Sequence, residues 1–98
     1  LTIQDQKSAT APGQLVAAGL SATQISLNWT DNSIDETGFE IERRIGAGAY
    51  VPIGAVGAGV TSFVNNGVVP SDVYTYRVRA VKGTESSAYS NEDSAQLT

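Results

Sequence analysis

The sequence predicts an all-β sandwich: two antiparallel sheets built from about seven short strands. Three observations carry this. Short stretches alternate apolar and polar residues with period two, as half-buried strands do. Clusters of Gly, Pro, Asn, Asp and Ser punctuate the chain about every 8–12 residues. No stretch sustains a helical period with caps. A chain of 98 residues makes one domain. At that size folding removes about 60–65% of the unfolded surface, enough for a core without staples.

The elements follow in order. Residues 1–11 are polar and small and read as a linker that runs into a Pro-Gly turn. QLVAAGLS is a weak first strand. In TQISLNWT, Ile25, Leu27 and Trp29 share one face while Gln24, Ser26, Asn28 and Thr30 share the other. In GFEIERR, Phe39 and Ile41 point inward and Glu40, Glu42 and Arg44 outward. AYVPIGAV and TSFVN are weaker strands. In VYTYRVRAV, Tyr74, Tyr76, Val78 and Ala80 alternate with Thr75, Arg77, Arg79 and Val81. AYSNEDSAQL closes the chain as the last strand. The expected core is Leu15, Leu20, Ile25, Leu27, Trp29, Phe39, Ile41, Phe63, Val68, Tyr74, Tyr76, Val78 and Leu97.

These elements resemble a fibronectin type III domain over residues 12–98. PGQL is similar to the family's lead-in to its first strand, and ISLNW to its second strand with a core tryptophan, here Trp29. VVPSDVYTYRVRAV is similar to its sixth strand, with Tyr74 at the tyrosine corner and Tyr76 and Val78 in the core. SAYSNEDSAQLT resembles the last strand. The resemblance implies an immunoglobulin-like sandwich with its termini at opposite ends. The stretch NWTDNSIDETGFEIER is most similar to such domains in bacterial extracellular enzymes, where they sit between other domains. This implies a non-catalytic accessory module of a secreted or cell-surface protein. Cell-adhesive members carry Arg-Gly-Asp between the last two strands. That loop reads KGTESS here, so integrin binding is not carried over.

Composition narrows the function from another side. The chain has no cysteine, histidine or methionine. That removes disulfides, the usual zinc ligands, thiol nucleophiles and the Ser–His–Asp triad. The missing initiator methionine points to a piece of a longer or processed chain. A net charge of −4 argues against a partner that tracks phosphates, since nucleic acid needs a basic face. No apolar run approaches the roughly 18 residues of a membrane span. The glycines of IGAGAYVPIGAVGAG form no phosphate-binding motif and fit edge strands and turns. No cofactor site is expected. The expectation is a monomer whose partners are flanking domains of its own chain, with a polysaccharide or another protein as the alternative.

Candidate sites reduce to three. Asp31, Asn32, Asp35 and Glu36 crowd the loop 31–38 and raise the question of calcium or paired catalytic carboxylates. Counted from Asp31 as an EF-hand, position 6 is Glu36 rather than glycine, and position 12 is Glu42, a strand residue. The stretch therefore reads as a turn, with Ile34 tucked down as its anchor. Adjacent loop carboxylates also lack the cleft a glycosidase pair needs. The second candidate is the strand face bearing Glu40, Glu42, Arg77 and Arg79, a charge-laced surface or a docking face. The third is aromatic: Tyr50 and Tyr89 are the two rings expected to be free for stacking. Partner binding, if any, is assigned to Tyr50, Tyr89, Arg77 and Arg79, or to the loops 31–38, 46–49 and 82–87. Asn28-Trp29-Thr30 fits a glycosylation sequon but lies mid-strand and reads as chance. Asn66-Gly67 is a turn signal and a spot for deamidation. The turn reading of 31–38 predicts that millimolar calcium leaves the thermal melting midpoint unchanged; a clear upward shift would sink it.

Overall fold

The computed structural model describes residues 10–97. The expected linker falls on residues 1–9, outside the described residues, and on Thr10 and Ala11, which lie within them. Two antiparallel sheets face each other. One carries β1 (Gly13–Ser21), β2 (Gln24–Thr30) and β5 (Ser62–Asn66), in the order β1-β2-β5. The other carries β3 (Gly38–Ile45), β4 (Val51–Gly57), β6 (Tyr74–Lys82) and β7 (Glu85–Tyr89), in the order β4-β3-β6-β7. A short β8 (Asp93–Ala95) also pairs with β6. Among the described residues eight strands thus stand where seven were expected, because the last strand is broken in two around residues 90–92.

Period-two alternation sends one face of each strand inward. Ile25, Leu27 and Trp29 of β2 meet Phe39 and Ile41 of β3 and Tyr74, Tyr76, Val78 and Ala80 of β6, all buried. Leu15, Val68 and Leu97 complete this core. Trp29 and Phe39 meet edge to face across the two sheets, with centroids 5.6 Å apart and planes at 62°. Such a pair contributes about 0.5–1.5 kcal/mol beyond its buried area. The Tyr74 hydroxyl accepts the Val69 N–H at 3.1 Å and ties the β5–β6 connection to the start of β6.

Two expected core positions need correction. Leu20 is 55% exposed. Leu15, Ala17 and Gly19 face inward, and Leu20 stands an odd number of residues from Leu15, on the opposite face of β1. Phe63 is half-buried and packs against the edge of the core. Its ring occupies the space a side chain would take at Gly54, where a Cβ would stand 2.7 Å from it.

The open sides between the sheets are closed by side chains. On one side the Asn65 Oδ1 accepts from the Tyr76 hydroxyl at 2.7 Å and from Arg43 Nη1 at 3.0 Å. This joins β5 to β6 and β3. Burial pushes the Tyr76 phenol up to about 12, against the nearby Arg43 charge. On the other side, Asn91 Oδ1 accepts the Leu15 N–H at 2.8 Å, and Asn91 Nδ2 donates to the Leu15 carbonyl at 3.0 Å. Asp93 Oδ2 accepts the Ala17 N–H at 2.8 Å. Two side chains thus do for the edge of β1 what a neighbouring strand would do.

The registers place the chain ends at opposite poles. Gly13 pairs with Thr30 at one end of the sandwich, while Tyr74 pairs with Ala95 at the other. The N-terminal pole carries the connections 31–37, 58–61 and 83–84. The C-terminal pole carries 22–23, 46–50 and 67–73. The expected loop 82–87 is much shorter, since Glu85, Ser86 and Ser87 already belong to β7.

Asn91 both donates to and accepts from buried Leu15, so Asn91→Ala leaves two backbone groups without partners. The expected loss is about 1–3 kcal/mol in urea unfolding, with faster hydrogen exchange at the Leu15 amide. An unchanged midpoint would show that the stitch contributes nothing.

Candidate functional site

The outer face of the larger sheet brings Tyr50, Tyr89, Arg77 and Arg79 together. The register sets Glu40 opposite Arg79, Glu42 opposite Arg77, and Arg44 opposite Thr75. Alternation turns all six outward. Arg77 Nε and Nη2 both reach Glu42 Oε1, at 2.8 and 2.7 Å. Arg79 holds Glu40 Oε1 in the same way, at 2.9 and 2.8 Å. The second Glu42 oxygen accepts the Tyr89 hydroxyl at 3.0 Å.

The tyrosines are not free, which corrects the expectation. The Arg77 guanidinium lies between their rings, 3.9 Å from the Tyr50 centroid and 3.8 Å from that of Tyr89. Arg44 also covers Tyr50, at 5.4 Å, and Arg79 covers Tyr89, at 5.1 Å. The result is a continuous stack: Arg44, Tyr50, Arg77, Tyr89, Arg79. Sugar stacking needs an open ring face, and here arginines contact both rings. The sequence places Arg44 outward with Glu40 and Glu42 but gives no sign that it would cover Tyr50.

Burial and the paired glutamates shift the ionisation of the stacked groups. Partial burial works against the Arg77 charge, yet the Glu42 carboxylate outweighs it and raises the pKa above the ordinary arginine value. Burial raises the Tyr89 phenol, and its bond to Glu42 raises it further. Burial also raises Tyr50, with the neighbouring Glu92 carboxylate adding to the effect. The buried Tyr50 hydroxyl faces that carboxylate without closing a well-formed hydrogen bond. Glu42 and Glu40 neutralise Arg77 and Arg79, while Arg44 adds a third positive charge to the stack.

The 31–37 loop is a clasp. Asp31 Oδ1 accepts the Ser33 N–H at 2.9 Å, the turn its residue type favours. Ser33 Oγ accepts the Thr10 N–H at 2.8 Å, and Asn32 Nδ2 donates to the Ala11 carbonyl at 3.2 Å. Glu36 Oε2 accepts the Gly59 N–H at 2.9 Å, and Asp35 pairs with Lys82 at 2.8 Å. Burial raises the pKa of Asp31, as does the bond it shares with Glu36. Glu36 is held below the ordinary range in spite of its burial, by that same bond and by the Gly59 N–H. Each carboxylate therefore has a structural partner. No group of three acidic side chains among the described residues is placed to hold a metal ion. Ile34 does not tuck down. It is fully exposed at the loop tip, because hydrogen bonds rather than an apolar anchor hold the loop. At the other pole an open groove of about 350 Å³ is lined by Gly19, Leu20, Ser21, Ala22, Gln96 and Leu97, none of them charged.

A two-sheet antiparallel sandwich with a tyrosine corner and a core tryptophan is an immunoglobulin-like domain. The fibronectin type III model matches residues 10–94, and the chain belongs to that family. It is 38% identical over 76 residues to a gellan lyase from a Bacillus species, a match that covers 78% of this chain and 3% of that protein. Among solved structures, the titin kinase with its flanking domains superposes with a TM-score of 0.82 at 17% identity, covering 95% of this chain and 18% of that one. The first three fibronectin domains of chicken CNTN1 superpose with a TM-score of 0.81 at 18% identity, covering 95% and 34%. In these proteins the matching domain is one part of a longer chain.

The stack predicts that Arg77→Ala costs about 1–3 kcal/mol in urea unfolding, since it strips two rings and one carboxylate of a shared partner. Arg77→Lys should recover less than half of that, because an ammonium cannot lie flat between two rings. Full rescue by lysine would mean that the charge alone matters.

Proposed function

We propose that this domain is a non-catalytic spacer in a longer, secreted or cell-surface bacterial protein, holding its neighbours at a set separation. The observation that carries this is the fixing of both chain ends at opposite poles. Thr10 and Ala11 are bonded to the 31–33 turn, and Leu97 is buried beside Gly19. A neighbour attached beyond either end starts from a defined point and direction. The relation to a much longer gellan lyase supports the accessory role and the extracellular setting.

The alternative was partner binding through Tyr50, Tyr89, Arg77 and Arg79, or through the loops. It has less support, because the two rings are covered by arginines and Arg77 and Arg79 are paired with Glu42 and Glu40.

The cysteine-free chain makes the test direct. Spin labels on cysteines placed at Thr10 and Gln96 should give one narrow distance distribution, unchanged by salt or by Ile34→Ser. The isolated chain should release no new reducing ends from gellan or other polysaccharides. A broad distribution would overturn the spacer, and turnover would overturn the non-catalytic reading.

A further inference from the structure

The chain has five asparagines, and the fold guards four of them. An asparagine amide is open to attack by the backbone nitrogen of the residue that follows it. After Asn28, the Trp29 N–H donates to the Thr61 carbonyl at 3.0 Å. After Asn32, the Ser33 N–H donates to Asp31 Oδ1 at 2.9 Å. Asn65 is buried, and Tyr76 and Arg43 both bond its Oδ1. Asn91 is bonded to Leu15 through both of its side-chain heteroatoms. A nitrogen whose N–H donates gives up its proton less readily, and a side chain held in the interior cannot turn toward it.

Asn66 is the exposed case. It ends β5, an edge strand, and its pairing with Gln24 is the last of the β2–β5 ladder. Gly67 follows beyond that ladder, exposed, at a φ of +73°. A residue with a Cβ would be strained there, so the turn needs glycine, and glycine has no side chain to screen its nitrogen. The Asn66 amide keeps one bond, from Gln24 Nε2 to its Oδ1 at 2.7 Å, on the surface where water competes for it. The chain is fixed on both sides of this turn. Asn66 pairs with Gln24, and Val68 is buried in the core with its N–H on the Thr23 carbonyl at 3.0 Å. Gly67 alone spans the interval.

We propose that Asn66 is a site of spontaneous covalent ageing, converting to isoaspartate and unpinning the end of β5 from β2. The Gly67 nitrogen attacks Asn66 Cγ. The N–Cγ bond forms, the Cγ–Nδ2 bond breaks, and Nδ2 leaves as ammonia with the proton that the nitrogen gave up. Water then opens the cyclic imide. Opening at Cγ gives aspartate; opening at the former main-chain carbonyl gives isoaspartate and a free carboxylate. In isoaspartate the chain runs through Cβ and Cγ, one methylene longer. The oxygen that Gln24 held becomes a peptide carbonyl, and the extra length falls between two residues the fold has fixed. Either Asn66 leaves Gln24 or Val68 leaves Thr23. This is separate from the spacing role and does not depend on it.

The test is prolonged incubation of the 98-residue chain at mildly alkaline pH and body temperature, followed by peptide mapping with mass spectrometry. The amide-to-carboxylate mass change should appear at Asn66 about tenfold sooner than at Asn28, Asn32, Asn65 or Asn91. Fragmentation should show isoaspartate there, and Asn66→Gln, whose longer side chain does not close the five-membered ring, should abolish the change. The aged fraction gains a negative charge, so ion exchange separates it. It should melt below the parent and lose hydrogen-exchange protection at the Val68 amide. Asn66→Asp carries the charge without the extra methylene and should keep that protection. Conversion first at another asparagine, or aspartate with no isoaspartate at Asn66, would overturn the proposal. So would an isoaspartate fraction that protects Val68 as well as the parent does.

Discussion

The fold depends on how β6 is partnered along its length. A single straight strand would give it one unbroken ladder. Here β7 covers its far end and β8 its near end, and the chain between them bulges away. Serine hydroxyls mend the irregularities. In the break, Ser90 Oγ accepts the Val78 N–H at 3.0 Å while the Ser90 N–H donates to the Val78 carbonyl at 2.7 Å; at the bulge within the β6–β7 pairing, Ser87 Oγ accepts the Ala80 N–H at 2.9 Å. Buried amides left open would each cost about 1–3 kcal/mol, so the hydroxyls are what make the break tolerable. The break in turn carries Asn91 and Asp93 across to β1. One local irregularity in the last strand therefore joins the two sheets along a whole side.

The second constraint is the segregation of charge. Opposed glutamates and arginines zip β3 to β6, and tyrosines from outside that pair of strands cover the arginines. Exposed ion pairs are worth little because water competes for both partners. Arg77 is different: its ring neighbours exclude water from both faces of the guanidinium, while Glu42 holds its edge. The stack works by packing as much as by charge. It also uses up side chains that would otherwise offer a binding patch. The opposite sheet is held by its backbone ladder and the core beneath it.

Much of this was legible in the sequence, and the exceptions are informative. Period two gave the inward set of β2, β3 and β6, because a strand cannot place consecutive residues on one face. The same rule, applied strictly, excludes Leu20 from the face of Leu15. Tyr50 and Tyr89 read as free because their cover comes from Arg77, which is against both rings in space but far from either in sequence. Ile34 read as an anchor because a buried apolar residue is the usual way to hold a loop. Nothing local reveals that Ser33, Asn32 and Glu36 would hold it by bonds to Thr10, Ala11 and Gly59. The split of the last strand was hidden for a similar reason. A serine reads as a turn former until its amide partner on the next strand is known.

These features bear on how the domain would carry load between its ends. β1 leaves the N-terminal pole and β8 approaches the C-terminal pole, and the two run in the same direction side by side. Pulling the ends apart would slide β1 against β8. That motion strains the Asn91 and Asp93 bonds to Leu15 and Ala17 together, and with them the β1–β2 and β6–β8 ladders in shear. Bonds loaded in parallel must break together, whereas a hairpin peeled from its end breaks them one at a time. The side-chain stitch that replaces a missing strand pairing thus lies on the path between Gly13 and Leu97, where a pulling force along the sandwich would meet it.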